Sequence, residues 1–213
     1  MAANTPTARV IEGWLVKYNL PSRPLTLPSG RQVFEVIQTD AFVESVNAIN
    51  AGTEAAIECD IEHKKNDALM RLGTSDINVK VENRSEGVYA TVALINDTIS
   101  DDIFKRIKAG FVRGFSIEFD PRPKDAEPAY ELINGNYLRK WARITLRGFA
   151  VTADPMYPDA TITQVTEGEQ VAAFARSMKQ ADIDLVTAEI EQLEMQRQHL
   201  HYKYESFLLG IGR

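Results

Sequence analysis

The spacing of apolar residues changes along the chain, and this change constrains the fold more than any other feature of the sequence. Between residues 9 and 160, apolar and polar residues alternate in short runs separated by turns rich in proline and glycine. Alternation with a period of two is typical of β-strands that bury one face. Residues 55–63 show it most clearly and end with His63 on the apolar face, whereas the proline-rich segment 19–31 is expected to be a loop. We expect about six to eight strands with two short helices, arranged as a mostly antiparallel barrel or sandwich.

From residue 181 onwards, the apolar residues recur at intervals of three and four residues instead. This spacing places them along one side of an α-helix, and only Arg197 departs from it. Two interpretations of this helix remain open, because it can pack back on the strand-rich domain or pair with another chain. The apolar seam consists of Ile183, Val186, Ile190, Leu193, Leu200, Tyr204 and Phe207. The predicted organisation is a flexible arm at residues 1–8, a β-barrel domain at 9–160, a linker at 161–180 and a heptad-patterned helix at 181–213.

The composition excludes several classes of protein. The chain has 213 residues, a net charge of −6 and a pI of about 5.2, so nucleic acid is not expected as its main partner. One cysteine and three histidines exclude an internal disulfide and a zinc-finger arrangement. No apolar run approaches the roughly 18 residues that span a bilayer, and the N-terminus lacks the order of a secretion signal. We expect a soluble intracellular protein that uses no metal and no cofactor.

The segment 106–120, RIKAGFVRGFSIEFD, contains the strongest candidate for a nucleophile. A helix predicted to end near Lys108 is followed by a strand in which Ser116 lies among large apolar residues. A serine becomes nucleophilic when a base, usually a histidine, lies within hydrogen-bond distance. His63 is the only histidine between residues 9 and 160. From the residues alone, Ser116 is either a packing residue or a nucleophile paired with His63.

Four segments resemble, in the same order, segments of the prohead maturation proteases of tailed bacteriophages. That family is similar in fold to the herpesvirus capsid-assembly proteases. The resemblance covers about residues 9–160 and implies an antiparallel, herpesvirus-protease-like β-barrel with flanking helices, an α+β arrangement that is mostly β. The four segments are IEGWLVKYN, IEHKKNDALMRLGT, NDTISDDIFKRIKAGFVRGFSIEF and TLRGFAVTADPMYPDA.

The resemblance assigns catalytic roles to two residues. It implies that Ser116 is the nucleophile of a serine protease and that His63 is its general base. The acidic residue that many members carry in the closing strand is matched by Arg147 here, so the third member of the triad is unknown. Arg147 and Gly148 resemble instead an arginine–glycine element that helps the herpesvirus enzymes to hold the oxyanion, and they are the candidate oxyanion residues. The other interpretation of Arg147, a strand residue that faces solvent, remains open.

Two further positions depart from the family pattern. Lys64 follows the histidine where many members have aspartate, and Glu118 stands where many members have glycine. Asp60 is expected on the opposite face of its strand from His63, which makes it a poor partner for the imidazole. The remaining acidic candidates for the third member are Glu131 and Asp76.

The function implied by the resemblance is a serine endopeptidase of phage prohead maturation. Such an enzyme would cleave segments of the scaffold and of the major capsid protein inside the immature capsid, in the host cytoplasm. It would also cleave itself, between about residues 155 and 185, and the segment 181–213 would bind a second copy or a helical scaffold. Neither nucleic acid nor a membrane is an expected partner. Two alternatives are a non-catalytic barrel that serves as a structural or scaffolding component of the capsid assembly, and a coiled-coil adaptor.

Overall fold

The computed structural model describes residues 9–64 and 67–168, which form twelve β-strands, two α-helices and one 3₁₀ turn. The predicted arm at residues 1–8 and the predicted helix at 181–213 lie outside the described residues. Within the described residues, no helix is both long enough and apolar enough to cross a bilayer. The elements are β1 (Arg9–Lys17), β2 (Pro21–Thr26), β3 (Gln32–Ile37), α1 (Val43–Asn50), β4 (Glu58–Ile61), the 3₁₀ turn (Ala68–Met70), β5 (Arg71–Thr74), β6 (Val79–Arg84), β7 (Gly87–Leu94), α2 (Thr98–Lys108), β8 (Gly114–Pro121), β9 (Ala129–Ile133), β10 (Asn136–Trp141), β11 (Ile144–Thr152) and β12 (Ile162–Glu167).

The strands associate into three sheets of four strands each. Sheet A has the order β12-β1-β7-β6, sheet B the order β2-β3-β10-β9 and sheet C the order β5-β4-β11-β8. Neighbouring strands are antiparallel except for β3 with β10 and β4 with β11, which are parallel. The prediction of a mostly β fold with flanking helices is confirmed. The predicted barrel is not, because the hydrogen-bonded ladders of the described residues stop at sheet edges and do not close.

Strand β2 shows how one of these edges arises. It lies within residues 19–31, for which the sequence predicts a loop, and it pairs with β3 along the edge of sheet B. Proline has no N–H to donate and is therefore tolerated at a sheet edge but not in a central strand. The pairing shifts register between Pro21 and Pro24. The loop prediction is wrong for this segment, because its prolines exclude a central strand only.

Strand β12 lies within the predicted linker at residues 161–180. It pairs antiparallel with β1 at the edge of sheet A. A side chain at Gly13 of β1 would collide with the backbone carbonyl of Thr161, so the close approach of the two segments requires glycine there. The sheet structure therefore continues beyond residue 160, to Glu167.

Alternate side chains of the strands, together with one face of each helix, form the apolar core. The rings of Phe115 on β8 and Phe149 on β11 are fully buried and meet edge to face, with their centroids 5.5 Å apart. Aromatic pairs of this geometry contribute beyond the area they bury. Helix α2 adds Ile103, Phe104 and Ile107 to the same core. Strand β8 is thus fixed from its inner side, which makes its outer side a rigid support.

A buried carboxylate connects sheet B to the chain that follows β11. Glu35 is 5% exposed and accepts hydrogen bonds from the Arg139 guanidinium at 2.7 Å, Trp141 Nε1 at 2.7 Å and the Tyr157 hydroxyl at 3.0 Å. Buried charge is tolerated when it is paired and hydrogen-bonded in this way. Burial, followed by the negative charge of Glu35, raises the pKa of Tyr157 far above its usual range.

Candidate active site

Helix α2 and strand β8 place Ser116 as the sequence predicted. The carboxylate of Asp97 accepts a hydrogen bond from the Ser100 N–H at 2.6 Å and caps the first turn of α2. After the helix, Gly110 adopts a φ of 77°, a left-handed conformation that costs glycine little. Strand β8 then begins at Gly114 and carries Ser116 as its third residue.

Strand β8 presents Ser116 on the face that points away from the core. Phe115, Ile117 and Phe119 belong to the core or pack against it. Because successive side chains of a strand alternate between faces, Ser116 and Glu118 share the opposite face. Both side chains are half-buried.

The neighbouring strand β11 carries only small residues on this face of sheet C. Ser116 pairs with Ala150 and Glu118 pairs with Gly148, so β11 offers only a methyl group and a hydrogen there. β11 lies between β4 and β8 in the sheet. A side chain that follows β4 can therefore pass over β11 and reach β8.

His63 lies in a tight turn after β4, which differs from its predicted place at the end of a strand on the apolar face. Strand β4 ends at Ile61, and the Lys64 N–H donates to the Ile61 carbonyl at 3.2 Å. The two central residues, Glu62 and His63, have φ values of 52° and 58°. This left-handed conformation costs a residue with a Cβ atom roughly 1–2 kcal/mol. Strained backbone of this kind is often found at functional sites.

The side chain of Glu62 compensates for this strain by binding the turn to the end of β11. Its carboxylate accepts hydrogen bonds from the Thr152 hydroxyl at 2.8 Å and from the Ala153 N–H at 2.9 Å. Hydrogen bonds to a charged acceptor contribute about 1.5–3 kcal/mol each, less where solvent competes. The backbone of His63 is therefore held in one place relative to sheet C.

The imidazole of His63 contacts the carboxylate of Glu118. Nδ1 lies 2.8 Å from Glu118 Oε1, and the two side chains are 34% and 26% exposed. An ionised carboxylate can only accept a hydrogen bond, so Nδ1 is the donor in this contact. That leaves Nε2, the nitrogen that carries a lone pair in the neutral ring, for a second partner.

Ser116 lies between the two ends of this contact. On β11, Ser116 pairs with Ala150. The turn that carries His63 is anchored two residues after Ala150, at Thr152, and Glu118 pairs two residues before Ala150, with Gly148. The row of Ser116 and Ala150 therefore lies between the anchor of the His63 turn and the row of Glu118. Within the described residues, no hydrogen bond joins the Ser116 hydroxyl to the ring, and such bonds are often long in uncomplexed enzymes.

Of the other acidic residues, Asp60 shares this face of sheet C, whereas Glu131 and Asp76 lie elsewhere. Asp60 is 2% exposed and pairs with Ala150, on the same row as Ser116. Glu131 belongs to β9 of sheet B and forms an ion pair with Lys140. Asp76 lies between β5 and β6. Within the described residues, the carboxylate that contacts the His63 imidazole is that of Glu118. The sequence marked Glu118 only as a departure from the family pattern.

The two candidate oxyanion residues lie at a bulge in β11. The pairing of β11 with β8 shifts register between Leu146 and Gly148, so Arg147 is the extra residue. Arg147 Nε donates to Asp120 Oδ2 at 2.7 Å, with half of its side chain exposed. A Cβ atom at Gly148 would lie 3.1 Å from the Glu58 carbonyl oxygen. Neither contact tests the oxyanion role, which stays a prediction.

A cysteine nucleophile and a metal site are not supported by the described residues. Cys59 is fully buried, and its burial, followed by the charge of Asp60, raises the pKa of its thiol well above the usual range. A thiol that stays protonated is a poor nucleophile. In residues 9–64 and 67–168, no group of three or more potential metal-ligating side chains is present.

Comparisons with known proteins place this chain in a family. A crystal structure of the KSHV protease in complex with a hexapeptide phosphonate inhibitor aligns at 12% sequence identity with a TM-score of 0.40, covering 76% of this chain and 65% of that chain. No sequence among the curated proteins matches this chain. The model of the caudovirus prohead serine proteases matches residues 1–184, which is most of the chain. This protein therefore belongs to the caudovirus prohead serine protease family.

Proposed function

We propose that this chain is a serine endopeptidase in which Ser116 is the nucleophile and His63 is the general base. The observation that carries the proposal is the His63 ring, held through Nδ1 over the face of sheet C that bears Ser116. The remaining ring nitrogen, Nε2, carries the lone pair that a general base needs. Membership of a serine protease family supports the reaction class.

The reaction follows from this arrangement. As the Ser116 oxygen attacks a peptide carbonyl carbon, its proton moves to His63 Nε2, and a tetrahedral intermediate forms. The C–N bond then breaks, and His63 returns the proton to the leaving amine. In the second half, His63 takes a proton from water as the water oxygen attacks the acyl-enzyme ester, and a second tetrahedral intermediate forms. The bond between the acyl carbon and the Ser116 oxygen then breaks, His63 returns the proton to that oxygen, and the carboxylic acid product leaves. Backbone N–H groups or Arg147 and Gly148 would stabilise the oxyanion.

We place the reaction inside the immature capsid, in the host cytoplasm. The substrates would be segments of the scaffold and of the major capsid protein, a choice consistent with a protease of the prohead. We also expect the enzyme to cut itself. Within the expected window of residues 155–185, residues 162–167 form β12, while Tyr157 and Ala160 are buried. Proteases cut exposed backbone, so we place the cut after Glu167.

Co-expression with the scaffold and major capsid proteins tests the proposal. The wild-type chain should cleave both proteins, and Ser116→Ala should abolish cleavage. Ser85→Ala is the matched control, because Ser85 is an exposed serine in the turn between β6 and β7. Intact mass spectrometry should show products with the wild type and with the control only. Equal masses of all substrates with the wild type and Ser116→Ala would refute the proposal.

The second candidate is a non-catalytic structural component of the same assembly. The observation that favours it is Arg147, which stands in place of the family's acid and binds Asp120. This candidate predicts that Ser116→Ala proheads mature normally. Deletion of residues 181–213 separates both candidates from a coiled-coil adaptor, because an adaptor would lose all function with that segment.

A further inference from the structure

The acid that orients the histidine comes from the same strand as the nucleophile. We infer that Glu118 is the positioning residue for His63 and supplies the carboxylate that the family pattern places where this chain has Arg147. The inference rests on the proposed function of Ser116 and His63. It gives a role to the glutamate that replaces the glycine found two residues after the serine in many members of the family.

The contact fixes the proton on the correct nitrogen of His63. Because Glu118 accepts at 2.8 Å from Nδ1, the neutral imidazole keeps its proton there, and the lone pair remains on Nε2. A general base needs that lone pair to face the hydroxyl that it deprotonates. Once His63 gains the proton of Ser116, the carboxylate also stabilises the imidazolium.

The geometry is fixed by a single rigid element. Ser116 and Glu118 are two residues apart on β8, so their Cα atoms are separated by about 7 Å on the same face. The inner face of β8 is anchored by Phe115, which is fully buried. Nucleophile and orienting acid therefore cannot move independently. A histidine held by the acid is placed relative to the serine by the geometry of the strand.

Two nearby carboxylates are engaged in other contacts. Glu62 binds the Thr152 hydroxyl and the Ala153 N–H. Glu58, which lies on the row of Glu118, forms an ion pair with Arg71 at 2.6 Å.

Nitrogen-15 NMR of His63 tests the inference without requiring proteolysis. The measurement uses the full chain with Ser116→Ala, so that self-cleavage does not interfere, and reads the proton position from the two ring-nitrogen shifts at a pH where the ring is neutral. We expect the Nδ1–H form to dominate. Glu118→Ala should lower the fraction of the Nδ1–H form, because Nδ1 then has no carboxylate to accept its proton. Glu58→Gln is the control and should leave it unchanged.

Kinetics on a peptide that spans a mapped scaffold cleavage site gives the second readout. Glu118→Gln should lower kcat on the order of 10²- to 10⁴-fold, the upper value being that of a buried triad aspartate, with little change in KM. Glu118→Asp, which keeps the acceptor on a shorter side chain, should restore part of the loss. Glu58→Gln should retain the wild-type kcat.

The outcomes separate this inference from the proposed function. A Nδ1–H form that persists in Glu118→Ala, or a kcat of Glu118→Gln within about twofold of the wild type, would overturn the role of Glu118. A kcat loss that Glu118→Asp does not relieve, with an unchanged proton position, would show a merely structural role and overturn it too. If the wild type cleaves nothing while the proton position still depends on Glu118, the proposed function fails and the contact between Glu118 and His63 stands.

Discussion

Gly114, two residues before Ser116, should tolerate no side chain. A Cβ atom at this position would collide with the carbonyl oxygen of Ala160 and would lie 3.0 Å from Pro155 Cγ. The carbonyl belongs to the backbone, so it cannot turn aside as a flexible side chain would. It also accepts the hydrogen bond of the Phe115 N–H at 3.0 Å. Gly114→Ala must therefore separate β8 from the segment that covers its first residues.

The cost of this separation can be worked out from its parts. Forcing an extra carbon into a packed site costs typically about 1–3 kcal/mol. Loss of the hydrogen bond between Phe115 and Ala160 adds about 1 kcal/mol. We expect the free energy of unfolding to fall by about 2–4 kcal/mol. This corresponds to a melting temperature lower by roughly 5–15 °C for a chain of this size.

Urea denaturation followed by circular dichroism measures this change. Gly110→Ala is the control: Gly110 has a φ of 77° with open space around it, so alanine there meets strain but no atom. That substitution should cost about 1–2 kcal/mol. Peptidase activity of folded Gly114→Ala should also fall, by on the order of 10²-fold, since a shift of about 1 Å at a nucleophile has that effect. A destabilisation of Gly114→Ala below that of Gly110→Ala would refute the reasoning.

Three further predictions concern stability. Hydrogen bonding to Arg143 lowers the pKa of Glu44, so the stability that the Glu44 carboxylate contributes is present above the ordinary value of about 4.3 and is lost as the pH falls through the lowered pKa. Glu44→Gln should lower the urea midpoint at pH 7, and this decrease should become smaller as the pH falls. Because the pKa of Tyr157 is raised in the folded chain, the free energy of unfolding is unaffected by this group below about pH 10 and falls as the pH rises further. Tyr157→Phe should lower the free energy of unfolding by about 1–3 kcal/mol at pH 7, because Glu35 loses one hydrogen-bond donor, and thermal melts of this variant should show a smaller loss of stability at alkaline pH. Phe149→Ala should cost about 3–5 kcal/mol in the same denaturation assay, because its buried ring would leave a cavity; a cost under 1 kcal/mol would contradict the packing.

The parts of the fold that follow from local chemistry could be predicted from the sequence. Helix α2 has a capping aspartate at its start and a glycine with positive φ after its end, so its bounds were readable. The strand that carries Ser116 follows from alternation with aromatic residues. Strand β2 was missed because its prolines are unfavourable in general and are tolerated only at an edge, and an edge is a property of the whole sheet.

The candidate site depended on contacts between residues distant in sequence. The alternation from Ile57 continues through His63, and it indicated a strand end there. The chain turns instead, because the carboxylate of Glu62 binds Thr152 and the following N–H, about ninety residues away. The acid beside His63 was missed for the same reason. Glu118 was noticed as a departure from the family, but its meeting with His63 depends on the order of three strands in sheet C.

Covalent labelling of the intact protein tests the central claim most directly. A fluorophosphonate reacts with a serine hydroxyl only when a base activates it. Peptide mapping by mass spectrometry should find one adduct, on Ser116, in the wild-type chain, and no adduct in His63→Ala at the same reagent concentration. Labelling that persists in Ser116→Ala, or that is unaffected by His63→Ala, would contradict the assignment of Ser116 as a nucleophile activated by His63.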